Sequence, residues 1–184
     1  MTSTSRLIPT GSQTVGPYFH IGLDALAQCA HQDMAGETVR IHGRVLDGNG
    51  SAVPDAMLEF WCSTPANDDA GRHCEFPIGF RRVATEVDGS FSVEMTKARA
   101  VPLDDGRMQA PHFLVLIFMR GLLRHLITRV YFAGEAGNVA DPVLETIPIE
   151  RRVTLIAQQK SDTAQTFEWN VVLQGAEETV FFAW

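Results

Sequence analysis

The stretch "RRVATEVDGSFSVEM" (residues 81–95) decides the fold class. Two runs of alternating apolar and polar residues flank Asp88-Gly89, and Phe91, Val93 and Met95 fall on one face. A side-chain period of two belongs to a half-buried strand, and Asp-Gly accepts the positive φ of a tight turn. The pattern predicts a β-hairpin. The same period recurs on either side. Upstream, Val39, Ile41 and Val45 alternate with Arg40, His42 and Arg44, the turn signal "DGNG" (47–50) follows, and 57–62 reads as a second strand entered at Pro54. Downstream, "HFLVLIFM" (112–119) is apolar nearly throughout, which predicts a strand buried on both faces. It pairs through "RGLLRH" with "LITRVYF" (126–132). Further strands are expected at 151–157 and at 166–173, where Phe167, Trp169, Val171 and Leu173 alternate, and the apolar tail "ETVFFAW" is expected to dock. Seven or more short strands with little helix predict an all-β sandwich.

At 184 residues the chain suits one domain, with an extended arm over 1–22, a short helix over 23–33, a core over 36–184 and a long loop over 63–80. The net charge of −7 and the lack of a basic run argue against a nucleic-acid partner. That acidic balance gives small anions no long-range help, so an anion site needs a local Arg or backbone amides. No stretch approaches the roughly 18 apolar residues of a membrane span. The opening "MTSTSRLIPTGSQ" lacks the apolar run of a secretion signal, so a cytoplasmic location is expected. Cys29, Cys62 and Cys74 are odd in number and form no CxxC, which favours buried or idle thiols over a disulfide framework.

No local metal motif links the six histidines. His31, His42 and His125 read as surface residues, and His112, at the start of an apolar strand, as a hydrogen-bonded core histidine. Arg120 closes the most apolar run in the chain, in "LIFMRG". It either reaches solvent at the turn or anchors a ligand carboxylate, because a guanidinium forms bidentate bonds to carboxylates. Near the N-terminus, "SQTVGPYFHIG" (12–22) sets Thr14, Tyr18 and His20 among Gly16, Pro17 and Gly22. That arm is either a leader packed on a domain or part of a site completed elsewhere.

Several stretches together carry a resemblance: "SQTVGPYFHIGL", "IHGRVLDGNGSAVPDAMLEFW", "APHFLVLIFMRGLLRHLITRVYF", "DPVL", "RRVTLIA" and "GAEETVFF". In order and over nearly the whole chain, they resemble the intradiol ring-cleaving dioxygenases, and within them the α-type chains of protocatechuate 3,4-dioxygenases. The resemblance implies a β-sandwich. It also implies non-haem Fe³⁺, held in the iron-bearing chain by two tyrosinates and two histidines, whose hard phenolate oxygens favour the ferric state. At the matching positions this chain has His73 in "ANDDAGRH", Val101 in "AVP", and His112 and Leu114 in "PHFLV", while Gln109 stands where the family has an arginine. Its two tyrosines, Tyr18 and Tyr131, lie in unrelated places. A chain of this kind is expected to hold no metal and to work with an iron-bearing β-type subunit. A rival reading joins His73 and His112, with Glu75, in an altered metal site.

By motif match, Thr14, Gly16, Pro17 and Arg120 are the implied substrate contacts. Gly16 would let backbone approach a flat ring, Pro17 would fix the path of the arm, Thr14 offers a hydroxyl, and Arg120 would take the substrate carboxylate. The implied reaction inserts both atoms of O₂ into 3,4-dihydroxybenzoate between its hydroxylated carbons, yielding 3-carboxy-cis,cis-muconate. No catalytic residue is expected on this chain alone. Two other functions remain open: a non-catalytic structural subunit, and a free-standing metal-free β-sandwich binding module. An arm and an apolar tail that need a docking surface argue against the second.

Overall fold

The computed structural model describes residues 9–19, 21, 23, 36–62, 79–160, 163 and 165–183. The helix read at 23–33 (Leu23 aside) and most of the 63–80 loop lie outside these residues, as do His20, His31, His73, Cys29, Cys74 and Glu75.

Among the described residues, nine strands share one mixed sheet, in the order β11-β1-β10-β9-β8-β7-β2-β3, with β4 added on β1. One layer holds β1 (Thr38–Leu46), β4 (Ser90–Thr96), β10 (Thr166–Glu168) and β11 (Val171–Val172). The other holds β2 (Met57–Cys62), β3 (Phe80–Ala84), β7 (His112–Phe118) and β8 (Leu126–Phe132). β9 (Ile156–Gln159) joins them along one side by pairing parallel with β8 and antiparallel with β10. A separate ribbon pairs β5 (Val101–Pro102) with β6 (Met108–Gln109). The all-β sandwich is therefore as predicted.

The core lies where inward residues of the two layers meet. Val39, Ile41, Val45, Phe91, Val93, Met95 and Phe167 come from one side, and Leu58, Phe60, Phe113, Val115, Ile117 and Phe132 from the other. Aromatic contacts cross the interface, with ring centroids 6.1 Å apart for Phe60–Phe91 and 5.0 Å for Phe132–Phe167. Edge-to-face and tilted pairs of this kind add roughly 1 kcal/mol beyond area burial.

Four expectations change. The 81–95 stretch is not a hairpin. Its turn forms, with Gly89 at φ 73 and Gly89 N–H donating to the Glu86 carbonyl at 2.9 Å. The two arms then part: β3 pairs with β2 and β4 with β1, so the turn carries the chain from one layer to the other. Period two sets which face is buried but does not choose the partner strand. The strand read at 151–157 is helical up to Leu155, since Ile149–Arg152 form an α-turn, Val153–Leu155 a 3₁₀ turn, and β9 starts only at Ile156. The strand read at 166–173 breaks at Trp169–Asn170, although Phe167, Trp169 and Val171 are all buried as the alternation requires. Finally, β7 is fully buried on one face only; Leu114, Leu116 and Phe118 are half-buried on the other.

The β7–β8 hairpin is as read, with His112 opposite Tyr131 and Leu114 opposite Arg129. The tail docks on β8, where Phe182 N–H donates to the Ile127 carbonyl at 2.8 Å and Thr128 Oγ1 donates to the Val180 carbonyl at 2.8 Å.

Candidate functional site

The residues singled out in the sequence gather at two places, one at each end of β7. At the far end, the hairpin turn follows β7 with Arg120 exposed and Gly121 at φ 92, a conformation that favours glycine. The N-terminal arm reaches this turn, because Thr14 Oγ1 accepts a hydrogen bond from Gly121 N–H at 2.8 Å. Thr14 and Arg120 are thus brought together. Arg120 Nε donates to Asp55 Oδ2 in an ion pair that sequence reading did not anticipate. Asp55 follows Pro54 in the loop entering β2, and nothing in the local pattern tied it to position 120. With Nε held, the two terminal nitrogens of Arg120 make no further bond among the described residues, so one edge of the fork stays open to solvent.

Gly16, Pro17 and Tyr18 are exposed beyond Thr14, and Phe19 N–H closes a turn on the Gly16 carbonyl at 3.2 Å. A Cβ on Gly16 would meet nothing within 4 Å, so the described residues leave that face of the arm uncovered. Ser12, Gln13 and Val15 of the arm, Phe118, Met119 and Leu122 to Ile127 of the hairpin end, and Phe182 and Ala183 of the tail enclose a groove of about 680 Å³, which Thr14, Gly16, Pro17 and Arg120 border without lining.

The other end of β7 holds the positions that the resemblance assigns to metal ligands. Val101, His112 and Leu114 line a cavity of about 350 Å³ together with Trp61, Cys62, Gln109 and Arg129. His73, the fourth such position, lies outside the described residues, and so does the altered site joining it to His112 and Glu75. His112 is buried, and its Nδ1 lies 2.7 Å from the Ala110 carbonyl, as read for a hydrogen-bonded core histidine. A carbonyl can only accept, so Nδ1 carries the proton and donates. Burial pushes the pKa of His112 down, which keeps the ring neutral.

Arg129, missed in the sequence, enters the cavity from β8. Its Nη1 donates to Gln109 Oε1 at 3.0 Å and to the Tyr131 hydroxyl at 3.3 Å. The signal available was a lone charge inside "LITRVYF", one residue from the core-facing Val130. Tyr131 is fully buried; its hydroxyl donates to Asp141 Oδ1 at 3.2 Å, and burial holds the phenol far above its ordinary pKa. Asp141 also accepts from the amides of Ala110 at 2.8 Å and of Val143 and Leu144 at 2.9 Å each, capping the helical turn Pro142–Glu145. Burial likewise pushes the Cys62 thiol up to about 11, away from thiolate chemistry.

The described part of this donor set does not suit a ferric ion. Val101 and Leu114 offer no donor atoms, Tyr131 is a neutral phenol bonded elsewhere, and the Arg129 guanidinium places positive charge on the cavity wall. The two places are also far apart. Eight residues separate His112 from Arg120, which at about 3.3 Å per residue puts them roughly 25 Å apart along the strand.

A family model described as dioxygenase matches residues 16–175. The protocatechuate 3,4-dioxygenase alpha chain of Burkholderia cepacia is 41% identical, over 97% of this chain and 98% of the relative. The alpha chain from Pseudomonas putida is 37% identical over 96% of this chain and 98% of the relative. The beta chain from Burkholderia cepacia is 25% identical over 92% of this chain and 77% of its own length. Among solved structures, 3-chlorocatechol 1,2-dioxygenase from Rhodococcus opacus 1CP superposes with a TM-score of 0.62 at 15% identity, covering 93% of this chain and 69% of that one. Catechol 1,2-dioxygenase from Pseudomonas arvilla C-1 superposes with a TM-score of 0.59 at 20% identity, covering 80% of this chain and 55% of that one. The chain thus spans little more than half of that longer enzyme, and at such identities the likeness speaks for the fold. Matched along most of its length by the family model and by full-length relatives, the chain belongs to the intradiol ring-cleaving dioxygenase family.

Proposed function

We propose that this chain is the α-type subunit of a protocatechuate 3,4-dioxygenase and supplies one wall of a substrate site whose ferric ion belongs to a β-type partner. The observation that carries this reading is the separation along β7. Thr14 and Arg120 lie at one end, while His112, at a position matching a metal ligand, lies roughly 25 Å away at the other. The first pair therefore cannot serve a metal at the second place, and a substrate held by it needs chemistry from another chain. The high identity to alpha chains and the lower identity to a beta chain support the same division.

In this reading the chain binds and orients. The open edge of Arg120 takes the carboxylate of 3,4-dihydroxybenzoate, directly or through water, while Asp55 fixes the guanidinium. Thr14 pins the arm to the turn, so that the exposed Gly16 and Pro17 face the ring of the substrate. The partner's iron supplies activation of the bound catechol. A purely structural role for the chain is the second reading, favoured by the ion pair that Arg120 already makes within its own chain.

Co-expression with a β-type chain tests the proposal. The two chains are expected to co-purify, with iron in proportion to the β chain and ring cleavage in the assembly only. Stoichiometric iron in this chain purified alone, with a tyrosinate-to-iron absorption band, would overturn it.

A further inference from the structure

We propose that the cavity at the start of β7 binds a small monocarboxylate with an apolar body about the size of benzoate, anchored by Arg129. The inference does not rest on the function proposed above, which uses the opposite end of β7.

Among the described residues Arg129 is held but not neutralised. Gln109 Oε1 and the Tyr131 hydroxyl fix Nη1, and the guanidinium carbon lies 5.9 Å from the centre of the Phe182 ring. No carboxylate lies within ion-pair distance of it among the described residues. The closest acidic group in the network, Asp141, is reached only through the Tyr131 hydroxyl, and its oxygens are taken up by three backbone amides. The Nε and Nη2 groups of Arg129 carry N–H bonds that no described group accepts, and two parallel N–H donors match one carboxylate. A cation on a cavity wall lined by Trp61, Val101 and Leu114 gains more from such a partner than it would at an open surface.

The surroundings set the ligand class. His112 Nδ1 donates to the Ala110 carbonyl, so that nitrogen is not free for the ligand, and Arg129 is the cation among the residues lining the cavity. One guanidinium balances a monoanion, and a dianion would leave a buried charge unpaired. Trp61, Val101 and Leu114 give apolar walls that favour an organic body over a hydrated inorganic ion. The cavity, at about 350 Å³, lies at the lower end of the range typical of small-molecule pockets.

The test is a ¹⁹F NMR titration of the full chain with 4-fluorobenzoate, with 4-fluorobenzamide as the neutral twin. Circular dichroism confirms that each variant is folded. Saturable binding of the benzoate is expected, with the benzamide at least about tenfold weaker. Arg129→Gln is expected to weaken benzoate binding about tenfold or more, Arg129→Lys less, and Leu114→Trp, which fills the cavity without touching the charge, to abolish it. The proposal is overturned if the folded wild type shows no saturable binding, if the benzamide binds equally well, or if Arg129→Gln and Leu114→Trp bind as the wild type does. Failure of ring cleavage in the co-expressed assembly would leave this result untouched, and the reverse also holds.

Discussion

Arg120 is where the two readings of the chain diverge most sharply. A structural residue would matter through Asp55 and would affect every substrate alike. A carboxylate anchor would matter only for substrates that carry a carboxylate. In the co-assembled enzyme, Arg120→Ala is expected to lower kcat/KM for protocatechuate about tenfold or more, and for catechol much less, as loss of one charge-assisted contact implies. Equal losses would assign the residue to the Asp55 pair alone. His112 yields a second expectation at this scale. Its folded pKa lies below the ordinary 6.5, so below that value the unfolded chain binds a proton that the folded chain refuses. Stability from this residue is therefore present above the ordinary pKa and falls as the solution is acidified. Lowering the pH from about 7.5 to about 5.5 should reduce the melting temperature of the wild type more than that of His112→Gln. Parallel curves would contradict the buried neutral ring.

At the scale of elements, the sharpest lesson comes from β1 and the segment it receives. Gly43 sits among inward residues of β1, and a Cβ there would lie 1.7 Å from the Trp169 carbonyl oxygen. The close approach lets Trp169 N–H donate to the His42 carbonyl at 2.9 Å and Asn170 Oδ1 accept from Arg44 N–H at 2.9 Å. These bonds step the chain from β10 to β11, which is why the run at 166–173 is broken despite its unbroken alternation. Gly43→Ala must displace backbone, and is expected to cost about 3 kcal/mol in a denaturant titration. A loss below about 0.5 kcal/mol would show that the crossing is looser than this. The 81–95 stretch teaches the same point from the other side. Its alternation and its Asp-Gly turn are both present, and Phe91, Val93 and Met95 are buried together. A hairpin and a crossover between layers share these signals, and only the company each arm finds across the core separates them.

Considered as a whole molecule, the chain is a sandwich with two attachments of unequal strength. The tail is bonded to β8 and β11, whereas the arm is tied, among the described residues, by the bond from Gly121 to Thr14. Deleting residues 1–16 is therefore expected to shift the melting temperature by only a few degrees, consistent with loss of about one hydrogen bond. Ring cleavage by the co-expressed assembly is expected to fall about 100-fold, because the arm would no longer line the shared site. Full activity without the arm would remove it from the site and favour the structural reading.

Most of what can be read locally was legible in the sequence: the alternation of buried and exposed positions, the turns at 47–50 and 88–89, the β7–β8 hairpin, and the absence of donors at Val101 and Leu114. Each depends on residue type and near neighbours, and the chain carries that information at short range. The contacts across long separations were not legible. Asp55 meets Arg120 across 65 residues, Gly121 meets Thr14 across 107, and Arg129 meets Gln109 across 20. Such pairings follow from how the layers stack, since two hydrogen-bonding groups look alike in sequence whether or not the fold brings them together. The sequence by itself determined that this is a β-sandwich carrying Val101 and Leu114 where the resemblance implies metal ligands. Only the tertiary structure decided that the arm and Arg120 stand at the far end of β7 from His112, and that the Arg129 guanidinium lines the cavity beside His112, because both depend on how the layers stack.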